Sequence, residues 1–167
     1  MNEPLSNIEL AALVGVTPEQ ILKYSDLRQF DDIDDLFTLS PFRIVLLEDD
    51  VKKGHWVIVF KVDGIYYYFN SYGTQADYDL DVVPRLVRMC LGESRREFRR
   101  LLHGRKMWHN PVKWQGATSQ TCGRWVAIVA TLARVGFSGP EANEYLKQNV
   151  KNDEGIVHLI KPTKVDF

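Results

Sequence analysis

Three apolar runs lie close together in the first half of the chain. Arg43–Leu47, His55–Lys61 and Ile65–Phe69 are rich in β-branched and aromatic residues, which suit a pleated strand better than a helix. Val62-Asp63-Gly64 joins the second run to the third, and Asp-Gly is a hairpin-turn signal. The runs are continuously apolar rather than alternating, so both faces of this sheet are expected to be covered, with helices flanking it. A short helix is expected at Asn7–Leu13. Thr17-Pro18-Glu19-Gln20 offers a cap, a first-turn proline and a glutamine three residues after the cap, which predicts another. Gln29–Asp35 reads as an acidic loop or solvated turn. Apolar residues at helical spacing (Leu80, Val83, Leu86, Val87, Cys90) predict a helix over Asp79–Leu91, and Glu93–Leu102 reads as a basic amphipathic one. Cys122–Val135 is apolar almost all round, the pattern of a buried helix, and should end near Gly136. A last helix follows from Gly139 to about Val150, and Ile156–Ile160 reads as an edge strand. The fold class is therefore α+β: a central mixed or antiparallel sheet flanked by helices, with Cys122 at the N-terminus of a buried helix.

Composition narrows the function classes. The chain has 167 residues, 45% hydrophobic and 26% charged, enough for one domain (1–167) with a core that needs no metal or disulfide staples. Lys and Arg number 21 against 22 Asp and Glu, which excludes a uniformly cationic nucleic-acid coat. Two cysteines make no disulfide framework and point to a reducing compartment. No apolar run approaches the roughly 20 residues of a bilayer span, and Met1-Asn2-Glu3-Pro4 opens no signal peptide, so a soluble, non-secreted protein is expected. Charge is nevertheless uneven. Residues 1–50 carry eleven acids and three bases, whereas 85–106 carry eight bases and two acids.

Four residues fit one chemistry. A cysteine in the first turn of a helix feels the positive end of the dipole, and the N–H groups there can hold an oxyanion, so Cys122 is a candidate nucleophile. Its plain reading is a small residue capping a core helix. His55, at the start of an apolar strand beside Trp56, is the candidate base; His103, His109 and His158 sit in basic, loop-like or terminal contexts. The short turn brings the end of the third run back beside the start of the second, making Asn70 a neighbour of His55 and a candidate orienter of its ring. Gln115 is a candidate oxyanion donor, with Gln120 as its competitor. His55 also reads as a strand-end residue and Asn70 as a turn residue before Gly73.

The order His, Asn, Gln, Cys, carried by Gly54-His55-Trp56, Phe69-Asn70-Ser71-Tyr72-Gly73 and Gln115-Gly116 through Cys122-Gly123, resembles the adenain-like cysteine peptidases. That clan takes in the maturation proteases of adenovirus and African swine fever virus and the ubiquitin-like-protein-specific proteases. Papain-like enzymes run Cys, His, Asn instead. The resemblance implies His55 as base, Asn70 as orienter, Gln115 as oxyanion donor and Cys122 as nucleophile, with Trp56 and Gly123 lining the substrate cleft and a catalytic segment of about 42–135. Adenovirus and cellular members carry an acid where this chain has Asn70, which can orient His55 but cannot compensate its charge. The implied activity is a viral or virophage maturation protease: a cysteine endopeptidase cutting capsid or structural precursor proteins after small residues such as glycine. The alternatives are removal of a ubiquitin-like modifier, or a non-catalytic peptide- or nucleic-acid-binding module.

No metal or resident cofactor is expected, although an activating peptide or DNA has precedent in the clan. Expected partners are viral structural precursors, and Arg95, Arg96, Arg99 and Arg100 are candidate contacts for DNA; membrane association is not expected, and the protein should be monomeric. The competing reading of those arginines is a solvated helix face paired with the acidic N-terminal segment. The expected location is the virion or the infected cell, in cytoplasm or nucleus.

Overall fold

The computed structural model describes residues 5–50, 53–77, 96–116 and 120–160. The helix expected over Asp79–Leu91, with Cys90, and residue Arg95 lie outside them.

The Asp-Gly turn sets the centre of the molecule. Asp63 and Gly64 both adopt positive φ, 51° and 77°, as a two-residue hairpin turn of type I′ requires. This turn joins β3 (Lys53–Val62) to β4 (Ile65–Phe69), with Val62 opposite Ile65 and Ile58 opposite Phe69. On the other side β2 (Phe42–Asp50) pairs antiparallel with β3, placing Leu47 opposite His55. Two short edge strands complete a five-stranded mixed sheet in the order β1-β2-β3-β4-β5. They are β1 (Leu22–Lys23), parallel to β2, and β5 (Met107–His109), parallel to β4. The sequence had announced neither edge strand.

Both faces are covered, as the unbroken apolar runs require. Ile44, Ile58, Phe60, Tyr67 and Phe69 face one core with α1 (Asn7–Val14), the buried helix α3 (Cys122–Arg134) and α4 (Gly139–Asn149). Val45, Val57, Val59, Tyr66 and Tyr68 face the second core, closed by the short helical turns Tyr24–Gln29 and Ile33–Phe37 and by α2 (Glu97–Leu102). The alternation of Tyr66, Tyr67 and Tyr68 between cores is the pleat itself.

Two expectations fail. The helix signalled at Thr17 stops after one turn, Pro18–Gln20: Gln20 accepts the Thr17 N–H at 2.9 Å, but Ile21 is already extended and leads into β1. The run Ile156–Ile160 is not a strand. It lies largely in α5 (Asp153–Leu159), whose N-cap Asn152 accepts the Gly155 N–H at 3.0 Å. The β-branched residues there pointed to a strand, but the cap and the acids Asp153 and Glu154 at its positive end favour helix. Of the basic helix expected over Glu93–Leu102, the described part is α2.

Candidate active site

The site sits where β4 ends. Asn70 leaves the sheet in a turn closed by the Gly73 N–H on the Asn70 carbonyl at 2.8 Å. Gly73 has φ 77°, and a side chain there would run into the Pro111 and Val112 backbone, so only glycine fits. The turn leaves the Asn70 side chain beside the start of β3, where His55 Nε2 lies 2.7 Å from Asn70 Oδ1. That oxygen also accepts the Tyr72 main-chain N–H at 2.9 Å. Because the backbone can only donate, the amide is held oxygen-first, and His55 must supply its proton from Nε2. The neutral ring then carries its lone pair on Nδ1, the tautomer a base needs. Tyr72 stacks on the imidazole, centroids 4.6 Å apart, and Lys113 Nζ stands 6.0 Å from the Tyr72 ring centre. Asn70 Nδ2 is buried without a partner.

Cys122 is the first residue of α3 and is buried. Burial pushes its thiol upward, while the main-chain N–H groups of Trp56, Gly123 and Cys122 itself pull the other way. The upward effect prevails, so the thiolate stabilisation expected of a helix N-terminus is outweighed by desolvation. The Trp56 N–H matters for assembly, since it ties the residue after His55 to the sulfur of Cys122. Gly123 is buried, and a Cβ there would come within 3.2 Å of Leu5 and 3.3 Å of Trp56, which lets α3 approach β3 closely. Trp56 also walls a groove of about 300 Å³ with Asn7, Ile21, Leu22, Lys23 and Leu46.

Gln115 is buried whereas its competitor Gln120 is exposed. Ser71, next to Asn70, donates its hydroxyl to Gln115 Oε1 at 2.6 Å, and the Ser71 carbonyl accepts the main-chain N–H groups of Trp114 (2.8 Å) and Gln115 (3.0 Å). One turn therefore orients two candidates, His55 through Asn70 and Gln115 through Ser71. The sequence reading missed the parts of Ser71 and Tyr72, although both stand in the motif it used. Asn110, Asn143 and Asp153 were missed too. Asn110 Nδ2 braces the Asn70 carbonyl at 2.9 Å and receives Asn143 Nδ2 on its own oxygen at 2.9 Å; Trp114 Nε1 donates to Asn143 at 3.0 Å.

The basic stretch has mixed duties. Arg100 donates to the carbonyls of Phe30 and Leu27, both at 2.9 Å, and to Glu97 at 2.8 Å. Arg105 forks onto Asp32 and, at 3.4 Å, Asp34, which also takes Lys61 at 2.8 Å. A main-chain N–H from Asp34 and the Arg105 guanidinium hold Asp32 below its ordinary range, and the Lys61 ammonium does so for Asp34. These acids are joined to cations of the same chain. Arg96 and Arg99 bracket the start of α2, whose N–H groups at Phe98 and Arg99 are capped by the buried Asp77 at 3.3 and 2.9 Å. Among the described residues no group of three or more His, Cys, Asp or Glu could hold a metal ion, and no helix is long and apolar enough to cross a membrane.

No protein-family model matches the chain. Among solved structures, the pS273R protease of African swine fever virus superposes with a TM-score of 0.54 at 13% identity, covering 98% of this chain and 69% of that one. A selenomethionine crystal of the same protease gives 0.53 at 14% identity, with 98% and 70% covered. At such identities the likeness is one of fold. In sequence, the chain is 31% identical over 131 residues to the "uncharacterized protein V9" of Sputnik virophage, across 74% of this chain and 73% of that protein. The chain thus belongs to the family of Sputnik virophage protein V9, built on the fold of a viral protease.

Proposed function

We propose that this protein is a cysteine endopeptidase of the adenain-like kind, cutting viral capsid or structural precursors in the virion or infected cell. The observation that carries the reading is the junction at the end of the β3–β4 hairpin. There an imidazole held in the base tautomer by Asn70 adjoins a residue, Trp56, whose N–H faces the sulfur of Cys122. The fold of a viral protease supports the same class.

The raised thiol and the uncharged Asn70 favour a neutral Cys122–His55 pair at rest. Cys122 loses its proton to His55 Nδ1 as the sulfur adds to the peptide carbonyl. The oxyanion is taken by the Cys122 N–H and Gln115, a contribution of about 3–4 kcal/mol per donor in acyl transfer. The imidazolium returns its proton to the leaving amine, and the amine departs. His55 then deprotonates water, which attacks the thioester and restores the thiol. Trp56 confines the cleft and favours glycine before the cut bond.

The test is mass spectrometry of co-expressed virion structural proteins after incubation with wild type and with Cys122→Ala. New termini following glycine should appear with wild type alone. Termini that also form with Cys122→Ala, or none with wild type, would overturn the reading.

A further inference from the structure

Outside the candidate residues, one carboxylate touches the neighbours of both oxyanion donors. Asp153 Oδ2 accepts the Gly116 main-chain N–H at 2.8 Å, and Gly116 directly follows Gln115. Asp153 Oδ1 accepts the Thr121 hydroxyl at 2.6 Å, and Thr121 directly precedes Cys122. Oδ1 also receives Trp125 Nε1 at 3.1 Å, from the second turn of α3. We propose that Asp153 is a positioning residue that locks the Gln115 side of the oxyanion site to the Cys122 side; this rests on the peptidase reading above.

The physical need is specific. An oxyanion site works only if its donors are fixed before charge develops, to within about half an ångström. Here the two donors come from different bodies. Cys122 belongs to a rigid helix, whereas Gln115 lies in the segment before it, next to Gly116, which Asp153 reaches across 37 residues. A carboxylate suits the task because each of its oxygens accepts, so it can hold one donor from each body. Asp153 is itself anchored at the start of α5 by the Asn152 cap, and Gly155 packs so closely on the Val150 carbonyl that a side chain there has no room. On the far side Trp125 stacks on Trp114, centroids 5.7 Å apart, which ties the same two bodies together a second time. The C-terminal helix, outside the segment of about 42–135 expected to hold the catalytic parts, thereby joins the site.

Asp153→Asn is the informative variant. Its oxygen still serves Thr121 and Trp125, but its NH2 group cannot accept the Gly116 N–H, so only the Gln115 side is released. On a peptidyl-glycine coumarylamide, kcat should fall about 10- to 30-fold with KM within about twofold, because the lost contact acts on the transition state. In a Gln115→Ala background the same change should cost less than about threefold, since both act through one donor. Alkylation of Cys122 by iodoacetamide forms no oxyanion and should proceed at the wild-type rate. Hydrogen exchange of the Gly116 amide should accelerate at least about tenfold by loss of its bond. Unchanged exchange, an equal loss in both backgrounds, or a parallel fall in alkylation would overturn the proposal. A wild type that leaves the coumarylamide intact would sink the peptidase reading instead, with the Gly116 exchange still deciding whether the clamp exists.

Discussion

Replacing Asn70 separates orientation from charge at the base. Asn70→Ala removes the acceptor of His55 Nε2–H (2.7 Å) and of the Tyr72 N–H (2.9 Å) in a side chain that is 1% exposed. Two hydrogen bonds at about 1 kcal/mol each, plus about 1 kcal/mol for the small void, are partly offset by eliminating the unpartnered Nδ2, leaving a net loss of about 2 kcal/mol. For a chain of this size that lowers the melting temperature by about 4–8 °C. Catalytically the imidazole is freed to take either tautomer and to rotate, so kcat/KM should fall about 10- to 100-fold. Asn70→Asp keeps an acceptor for both donors and adds a charge that stabilises the imidazolium. It also sets a second oxygen where Nδ2 finds no partner, so burial of the carboxylate costs stability. The two variants should therefore rank oppositely to a simple packing effect: Asn70→Asp melts below wild type yet cleaves well above Asn70→Ala, with the acid limb of its pH profile moved upward, since His55 must be neutral to act as base. Coumarylamide hydrolysis across pH, with a thermal melt of each variant, reads both quantities. If Asn70→Ala cleaves at the wild-type rate, the orienting role is refuted, and Asp77 cannot replace it, being committed to the Tyr24 hydroxyl and the start of α2.

Other outcomes follow from particular contacts. Because burial raises the Cys122 thiol, the folded state favours the neutral form, and that stability is complete below the ordinary thiol range of about 8.5 and lost as pH climbs through the raised value. Melts from pH 7 to 10 should thus decline more steeply for wild type than for Cys122→Ala; parallel curves would contradict this. Gly139→Ala would drive a methyl into the Trp108 ring and within 2.7 Å of Tyr67, costing about 1–3 kcal/mol of stability by chemical denaturation. If α2 follows DNA, Arg96→Glu with Arg99→Glu should flatten a salt dependence of about −0.9 per phosphate in a fluorescence titration of duplex DNA. Arg100→Glu should instead lower stability, since its guanidinium holds the Leu27 and Phe30 carbonyls; absence of binding at low salt would leave the solvated-face reading.

The parts legible in the sequence are those whose geometry is local. The Asp63-Gly64 turn fixes the β3–β4 register up to Ile58 opposite Phe69, and the turn that begins at Asn70 lets its side chain reach His55, 15 residues away. The apolar wrap of α3 is equally direct, since a helix buried on most sides needs few polar positions. What stayed hidden depends on distant partners. Ser71 meets Gln115 across 44 residues, and β5 becomes a strand only because Tyr66–Tyr68 offer it a parallel edge. At Ile156–Ile160 a local signal existed, the Asn152 cap, but the β-branched run outweighed it in the reading. Asp153 had no signal at all, because an acid in a helix's first turn is ordinary until its partners are known.

The spatial order of the strands repeats their order in the chain. The antiparallel neighbours β2, β3 and β4 close short loops, so this centre of the sheet can form early and quickly, ahead of the parallel edge strands. The contacts that finish the catalytic end run the other way: Gly116 and Thr121 wait for a carboxylate 37 and 32 residues further on. On a ribosome, the sheet, His55 and Cys122 all emerge before Asp153, the residue proposed to hold Gly116 and Thr121 together. The clamp proposed for Asp153 can therefore close only once the chain has been made that far, after the sheet it serves.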